Sequence, residues 1–270
     1  MEKSWSQNYL RRHLVGTGPG RALGLNLGGL FLNSSIGVSY DVGIYNPVFA
    51  SFNGNSTGIN SSPLISGRVA FHFGDPEFEK YTTGHKENYF GKRKGLTLAF
   101  TAARQGETDL YTNNFAYGID WLFNWGNINL IGEWSILERN GEINSTNTTP
   151  TEINSNANTG FVRIGYNIEL KNAKVLEPVL MFVQFNGELD GAKQLEANLL
   201  NAFAGKDQSI EASLNLYLNP DLKLSLSYTF REGDLGDAEP GARFNNFFFQ
   251  GGAGAIQRGE WLGVGLVAIF

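Results

Sequence analysis

Nine ionisable side chains each have an apolar residue immediately beside them, in runs where polar and apolar types alternate. They are Arg68, His72, Arg163, Lys223 and Arg231, with Asp41, Asp120, Glu133 and Glu211. Charges at alternate positions of such a run project from one face of it. On a wetted face, rings or ladders of charge offer partners to a dehydrating ion and so set ion preference. Alternatively they pair with one another, as interior charges generally do. Both signs are represented, whereas a ladder built for anions would want a basic excess.

Acid–base or nucleophilic catalysis has less to draw on. The sequence holds three imidazoles, His13, His72 and His85. A Ser-His or Asp-His set would use His72, which falls mid-strand near Ser66 and Arg68, with no recognisable signature around it. His13 lies in an N-terminal stretch, Met1 to Arg12 and just beyond, that is expected to be a disordered end rather than a segment folded inward. His85 lies in a connection. Gly84 to Lys92 superficially matches a phosphate loop, but six residues separate its glycines and Arg93 stands where Ser or Thr is needed. With no cysteine, no HExxH and no EF-hand loop, neither metal nor cofactor is expected, and the chain does not read as an enzyme.

The elements that must carry these charges are strands. Ile36, Val38, Tyr40, Val42 and Ile44 alternate with Gly37, Ser39, Asp41 and Gly43, giving one greasy and one wet face. The same period of two recurs from Leu23, from Val69, from Leu96, from Phe115 to Phe123, from Ile128 to Ile136, from Val162 to Ile168, from Ile210 to Leu218, from Leu222 to Phe230 and from Leu262 to Phe270. Val175 to Phe185 is also a strand, but both of its registers are apolar and its faces stay open. Tight turns are read at Asn33 to Ser35, at Asn124-Trp125-Gly126 and at Asn219-Pro220-Asp221.

Eleven strands of about ten residues suit a tilted bilayer crossing better than a soluble sheet, whose strands average about five or six. Long connections (Asn46 to Ser62, Asn140 to Asn158, Asn186 to Lys206, Glu232 to Gly259) mostly alternate with short ones, as on the two rims of a membrane barrel. Gly74 to Gly95 is the exception, a long connection at a short-turn position. Tyr40, Tyr45, Trp121, Trp125, Trp134, Tyr228, Phe230 and Phe270 fall near strand ends, where interfacial girdles sit.

Composition narrows the classes further. The net charge of −5 and the scarcity of Lys/Arg clusters give nucleic acid no electrostatic footing. No apolar run is long enough for a spanning helix, and Met1 to Trp5 has no signal-peptide core. Residues 1–270 therefore read as one antiparallel transmembrane β-barrel domain of 11–12 strands. An odd count with the last strand ending in the periplasm implies either that something upstream is missing or that the count is off by one.

The sequence also resembles the phosphate-selective porin O and P family over most of its length. The resemblance rests on Gly20-Arg21 before Gly24, Tyr40-Asp41-Val42-Gly43-Ile44-Tyr45-Asn46, Gly67-Arg68-Val69, Tyr89-Phe90-Gly91-Lys92-Arg93-Lys94, Gly132-Glu133-Trp134 and, most specifically, Leu216-Tyr217-Leu218-Asn219-Pro220. It implies a homotrimeric, 16-stranded porin in the outer membrane, in contact with its lipid, whose signal peptide and upstream strands this chain lacks, and which passes small hydrophilic solutes with an anion or phosphate bias. The family's phosphate-binding residues do not map one by one onto this chain. Two other readings stay open: an outer-membrane enzyme dependent on His72, and a soluble β-sandwich binding protein, which shows the same alternation turned inward.

Overall fold

In a computed structural model the chain is described at residues 9–15, 22–33, 36–47, 49–51, 54–56, 60–83, 86, 88–143, 150–239, 241–250 and 253–268. The period-two segments form eleven long strands: β1 Leu23–Leu32, β2 Ile36–Asn46, β3 Leu64–Gly74, β4 Gly95–Gln105, β5 Asn113–Trp125, β6 Ile128–Ile143, β7 Thr151–Tyr166, β8 Val175–Asn186, β9 Lys206–Asn219, β10 Leu222–Asp234 and β11 Trp261–Ala268. Each pairs antiparallel with the next, so one sheet runs in chain order from β1 to β11, and Ile168–Glu169 adds a short twelfth member on β8. With eleven strands in that order, β1 and β11 run in the same direction. Among the described residues no pairing joins them.

The register keeps like faces together. Val69, Phe100, Ile119 and Trp134 form one row across β3 to β6 on the apolar face. Asp41, Arg68 and Thr101 form a row on the other. A one-residue slip would exchange the faces throughout, so the alternation itself fixes the pairing. The sheet is inside out by the standard of soluble proteins: Leu25, Phe100 and Val264 are 78%, 61% and 82% exposed, whereas Thr97, Asn114 and Glu177 are fully buried on the opposite, concave side. This is the face distribution of a transmembrane β-barrel wall.

Short and long connections mostly fall at opposite ends, but Asn140 to Asn158 is not the long loop the sequence suggests: β6 runs on to Ile143 and β7 starts at Thr151, and the two pair as far as Ile143 with Thr151. At one end of the sheet, Trp125 pairs with Ile128 and Asn219 with Leu222, leaving two-residue loops at Gly126–Asn127 and Pro220–Asp221. Gly126, which the sequence already places in the turn, takes the positive φ (55°) that such a loop requires, and the loop ends one residue further on, at Asn127. The other end carries the long connections, one holding helix α2, Gly191–Leu199, capped by Asp190, whose carboxylate accepts from the Lys193 amide. The anomalous long connection after β3 folds back against the concave face. Arg93 anchors it, donating to the carbonyls of Asp75 and Gly95, to Asn124 Oδ1 at 2.7 Å and to Thr97 Oγ1 at 2.8 Å.

Three expectations are corrected. Tyr9–Val15 is not a loose end but a helix, α1, packed inside the concave face with Tyr9 and His13 buried. The apolar stack it meets there, Ala116, Leu137 and Phe185, supplies the driving force that its length alone would not. Tyr45 does not belong to an outer girdle, since it shares the parity of Asp41 and faces inward. The concave face is also not uniformly wet, for Leu122, Ile131, Phe161 and Met181 form a core cluster on it. Ser34–Ser35 of the first turn, Gly20–Arg21, Gly84–His85 and Phe270 lie outside the described residues.

Candidate functional site

On the β1 to β5 side the concave face encloses a cavity of about 330 Å³. Its floor exists because the inner face of β1 and β2 is built from glycine. A Cβ at Gly28 would strike the Tyr81 phenol, and one at Gly24 or Gly43 would strike the Tyr45 ring. The absent side chains let two aromatic rings lie close against the wall. Around them Asn26 donates to Asp41 Oδ1 at 3.3 Å, Tyr81 donates to the same oxygen at 2.5 Å, and Tyr45 donates to Asn26 Oδ1 at 3.3 Å. The hydrogen bond to the Asp41 carboxylate pushes the Tyr81 phenol up to about 12, because ionisation would set two negative charges together.

Beside this group Arg68 grips Asp120 with two parallel bonds of 2.9 and 2.7 Å, and Glu77 of the folded-back connection approaches the same guanidinium at 3.9 Å. His72 is buried between two hydroxyls: Ser39 Oγ lies 3.0 Å from Nε2 and Thr97 Oγ1 lies 2.9 Å from Nδ1. Thr97 in turn receives Arg93, so a hydroxyl stands on the side of the ring where a catalytic triad places a carboxylate. The serine beside His72 is Ser39 of β2.

The β5 to β10 side is filled. Tyr9 donates to Asp207, which also accepts Arg231 at 3.1 and 2.7 Å, and the Tyr9 ring stacks on Phe185 with centroids 4.0 Å apart. Burial, then the Asp207 charge, raises the Tyr9 phenol well above its ordinary value. His13 abuts the Phe115 carbonyl at 3.1 Å. Burial, then the neighbouring Arg139 cation, holds its imidazole well below the usual range. Arg139, itself fully buried, donates to the carbonyls of Leu200 and His13 and so ties β6 to α1 and to the connection after α2. Further along, Arg163 meets Glu177 at 3.0 Å, and that carboxylate also accepts from Asn215 at 3.0 Å and Tyr217 at 3.1 Å.

All nine ionisable residues singled out in the sequence lie on the concave face, but not in one place. Asp41, Arg68, His72 and Asp120 meet at or beside the cavity. Arg163 and Arg231 are locked into structural pairs with Glu177 and Asp207. Glu211 accepts from Ser213 at 2.8 Å, Lys223 sits 5.8 Å from the Tyr217 ring centre, and Glu133 is half-buried opposite Asp120. The sequence reading missed Asn26 and Tyr45, which strand parity alone identifies. It also missed Tyr81, which no local signal marks. Among the described residues no group of three His, Asp or Glu side chains is placed to hold a metal ion, and no helix is long and apolar enough to cross a membrane.

No family model matches the chain, and no curated protein matches it. Among solved structures, the crystal structure of the beta domain of the Bordetella autotransporter BrkA is similar at 12% identity, covering 78% of this chain and 83% of that one, with a TM-score of 0.31.

Proposed function

We propose that the chain forms the wall of an outer-membrane β-barrel through which small hydrophilic solutes diffuse passively. The observation that supports this reading is the inversion of the faces. Large apolar side chains cover the outside of every long strand from β1 to β11, while ion pairs and amides lie inside. In water that arrangement forfeits the burial of apolar surface that holds a soluble domain together, at about 25 cal/mol per Å². In hydrocarbon it costs nothing, and the strands between β1 and β11 have their backbone groups paired on both sides within the sheet. A soluble sandwich would place the same side chains in its core.

Only part of the interior is available for passage. A cavity lies beside β1 to β5, and among the described residues α1, the folded-back connection and their arginine anchors occupy the space on the other side. The resemblance to phosphate-selective porins supports passage. A phosphate preference is not part of the proposal, because Arg68, Arg163 and Arg231 are each engaged by a carboxylate. The plugged half favours a second reading, a filled barrel that serves as an anchor. Conductance separates the two: discrete current steps after insertion of the refolded chain into a planar bilayer are expected of a passage. Folded, inserted protein without steps would leave the anchor.

A further inference from the structure

We infer that the cavity formed by Asp41, Asn26, Tyr45 and Tyr81 recognises the cationic group of a small organic solute, an ammonium or guanidinium, as it passes. The inference rests on the reading of the chain as a passage and names the solute class that this passage prefers. Its first support is the character of the donors. Asp41 is held by an amide and a phenol, both neutral, so none of its hydrogen bonds comes from a cation, and Arg68 across the strand pair acts on it only through space. The guanidinium nearest to it, Arg68, has its fork committed to Asp120 and a second carboxylate, Glu77, at its edge.

The second support is the balance of charge. Asp41 and Glu77 line the cavity against Arg68 and the exposed Lys80, and Arg68 is bonded to Asp120 outside the lining, so the charge on the wall gives an entering anion no advantage. The third is aromatic. Tyr45 and Tyr81 both line the cavity, laid over the glycine floor on either side of Asn26 and Asp41. A carboxylate acceptor with phenol rings around it suits an organic cation, which gains a charge-assisted hydrogen bond from the first and cation–π attraction from the second. Phosphate gains neither. A volume of about 330 Å³ accommodates such a solute with room for its aliphatic body.

The test uses the refolded chain in a planar bilayer, with KCl gradients, agmatine as the cationic probe and inorganic phosphate as the anionic one. The expected result is a reversal potential of the sign given by K⁺ preference, agmatine block of the current, and no block by phosphate at the same concentration. Asp41→Asn should raise the half-blocking agmatine concentration about tenfold, as loss of a charge-assisted hydrogen bond would. Tyr81→Leu keeps the carboxylate and removes one ring, so it serves if Asp41→Asn does not fold; about a threefold rise is expected. Chloride preference, phosphate block, or agmatine block unchanged in both folded variants would overturn the inference. Folded protein that gives no current overturns the passage reading instead. Calorimetric titration of agmatine into the detergent-folded chain then decides the site, with absence of binding counting against it.

Discussion

Among individual residues, Glu177 shows how strongly this interior is specified. It is completely buried, and it accepts from Arg163, Asn215 and Tyr217 together. A buried pair repays its desolvation only when further hydrogen bonds satisfy the carboxylate, as Asn215 and Tyr217 do here, and removing one partner strands the other. Glu177→Ala is therefore expected to destabilise the folded barrel by about 3–5 kcal/mol, read from urea unfolding in lipid vesicles, while Arg163→Met with Glu177→Leu should recover most of that loss. Gly28 is a second single-residue lever. A Cβ there meets the Tyr81 hydroxyl, so Gly28→Val should displace the ring from Asp41. The Tyr81 ionisation midpoint, followed by ultraviolet pH titration, would fall from about 12 toward the ordinary value near 10. A midpoint that stays put would mean the phenol is held by something other than the glycine floor and Asp41.

Individual elements separate what the sequence states from what only packing decides. Ten strands announce their faces by alternation, and the charges at Asp41, Arg68, His72 and Asp120 could be placed on one side from that pattern alone. β8 could not, because Met181 and Phe185 point inward while Leu180 and Phe182 point outward. Its inner face is apolar because it meets α1 and the Leu122–Ile131–Phe161 cluster rather than solvent. A strand whose polar side is covered by another element loses the very signal that identifies it. The helix α1 was illegible for the converse reason: seven residues have no helical stability of their own, and the groove that holds them is assembled from β5, β6 and β8, far away in sequence.

That groove also makes α1 sensitive to pH. His13 faces Arg139 and the Phe115 carbonyl, and Tyr9 on the same helix faces Asp207 and Arg231. Burial lowers the His13 pKa, so the docked helix binds no proton where the released helix does. Its docking free energy is full above about pH 6.5 and falls as pH drops below that value, by about 1.4 kcal/mol per unit until the depressed pKa is reached. Amide hydrogen exchange at residues 9–15 should lose about tenfold protection per pH unit over that window after correction for intrinsic rates. His13→Gln should remove the dependence.

Taken whole, the molecule is defined by which solvent it turns outward. Phe100 lies mid-strand in β4, between Val69 and Ile119, and is 61% exposed on the convex face. A soluble sheet with that side chain in water would tolerate or welcome a charge in its place. In a bilayer the same position falls near the hydrocarbon midplane, where an arginine on the lipid face of a barrel costs about 2–4 kcal/mol. Phe100→Arg is therefore expected to lower folding stability in lipid vesicles by that amount. Ser66, on the inner face of β3, supplies the comparison: Ser66→Asn should change stability by less than about 1 kcal/mol, because its environment is already polar. The two substitutions read the two faces of one wall, and a neutral Phe100→Arg would show that lipid does not cover this side.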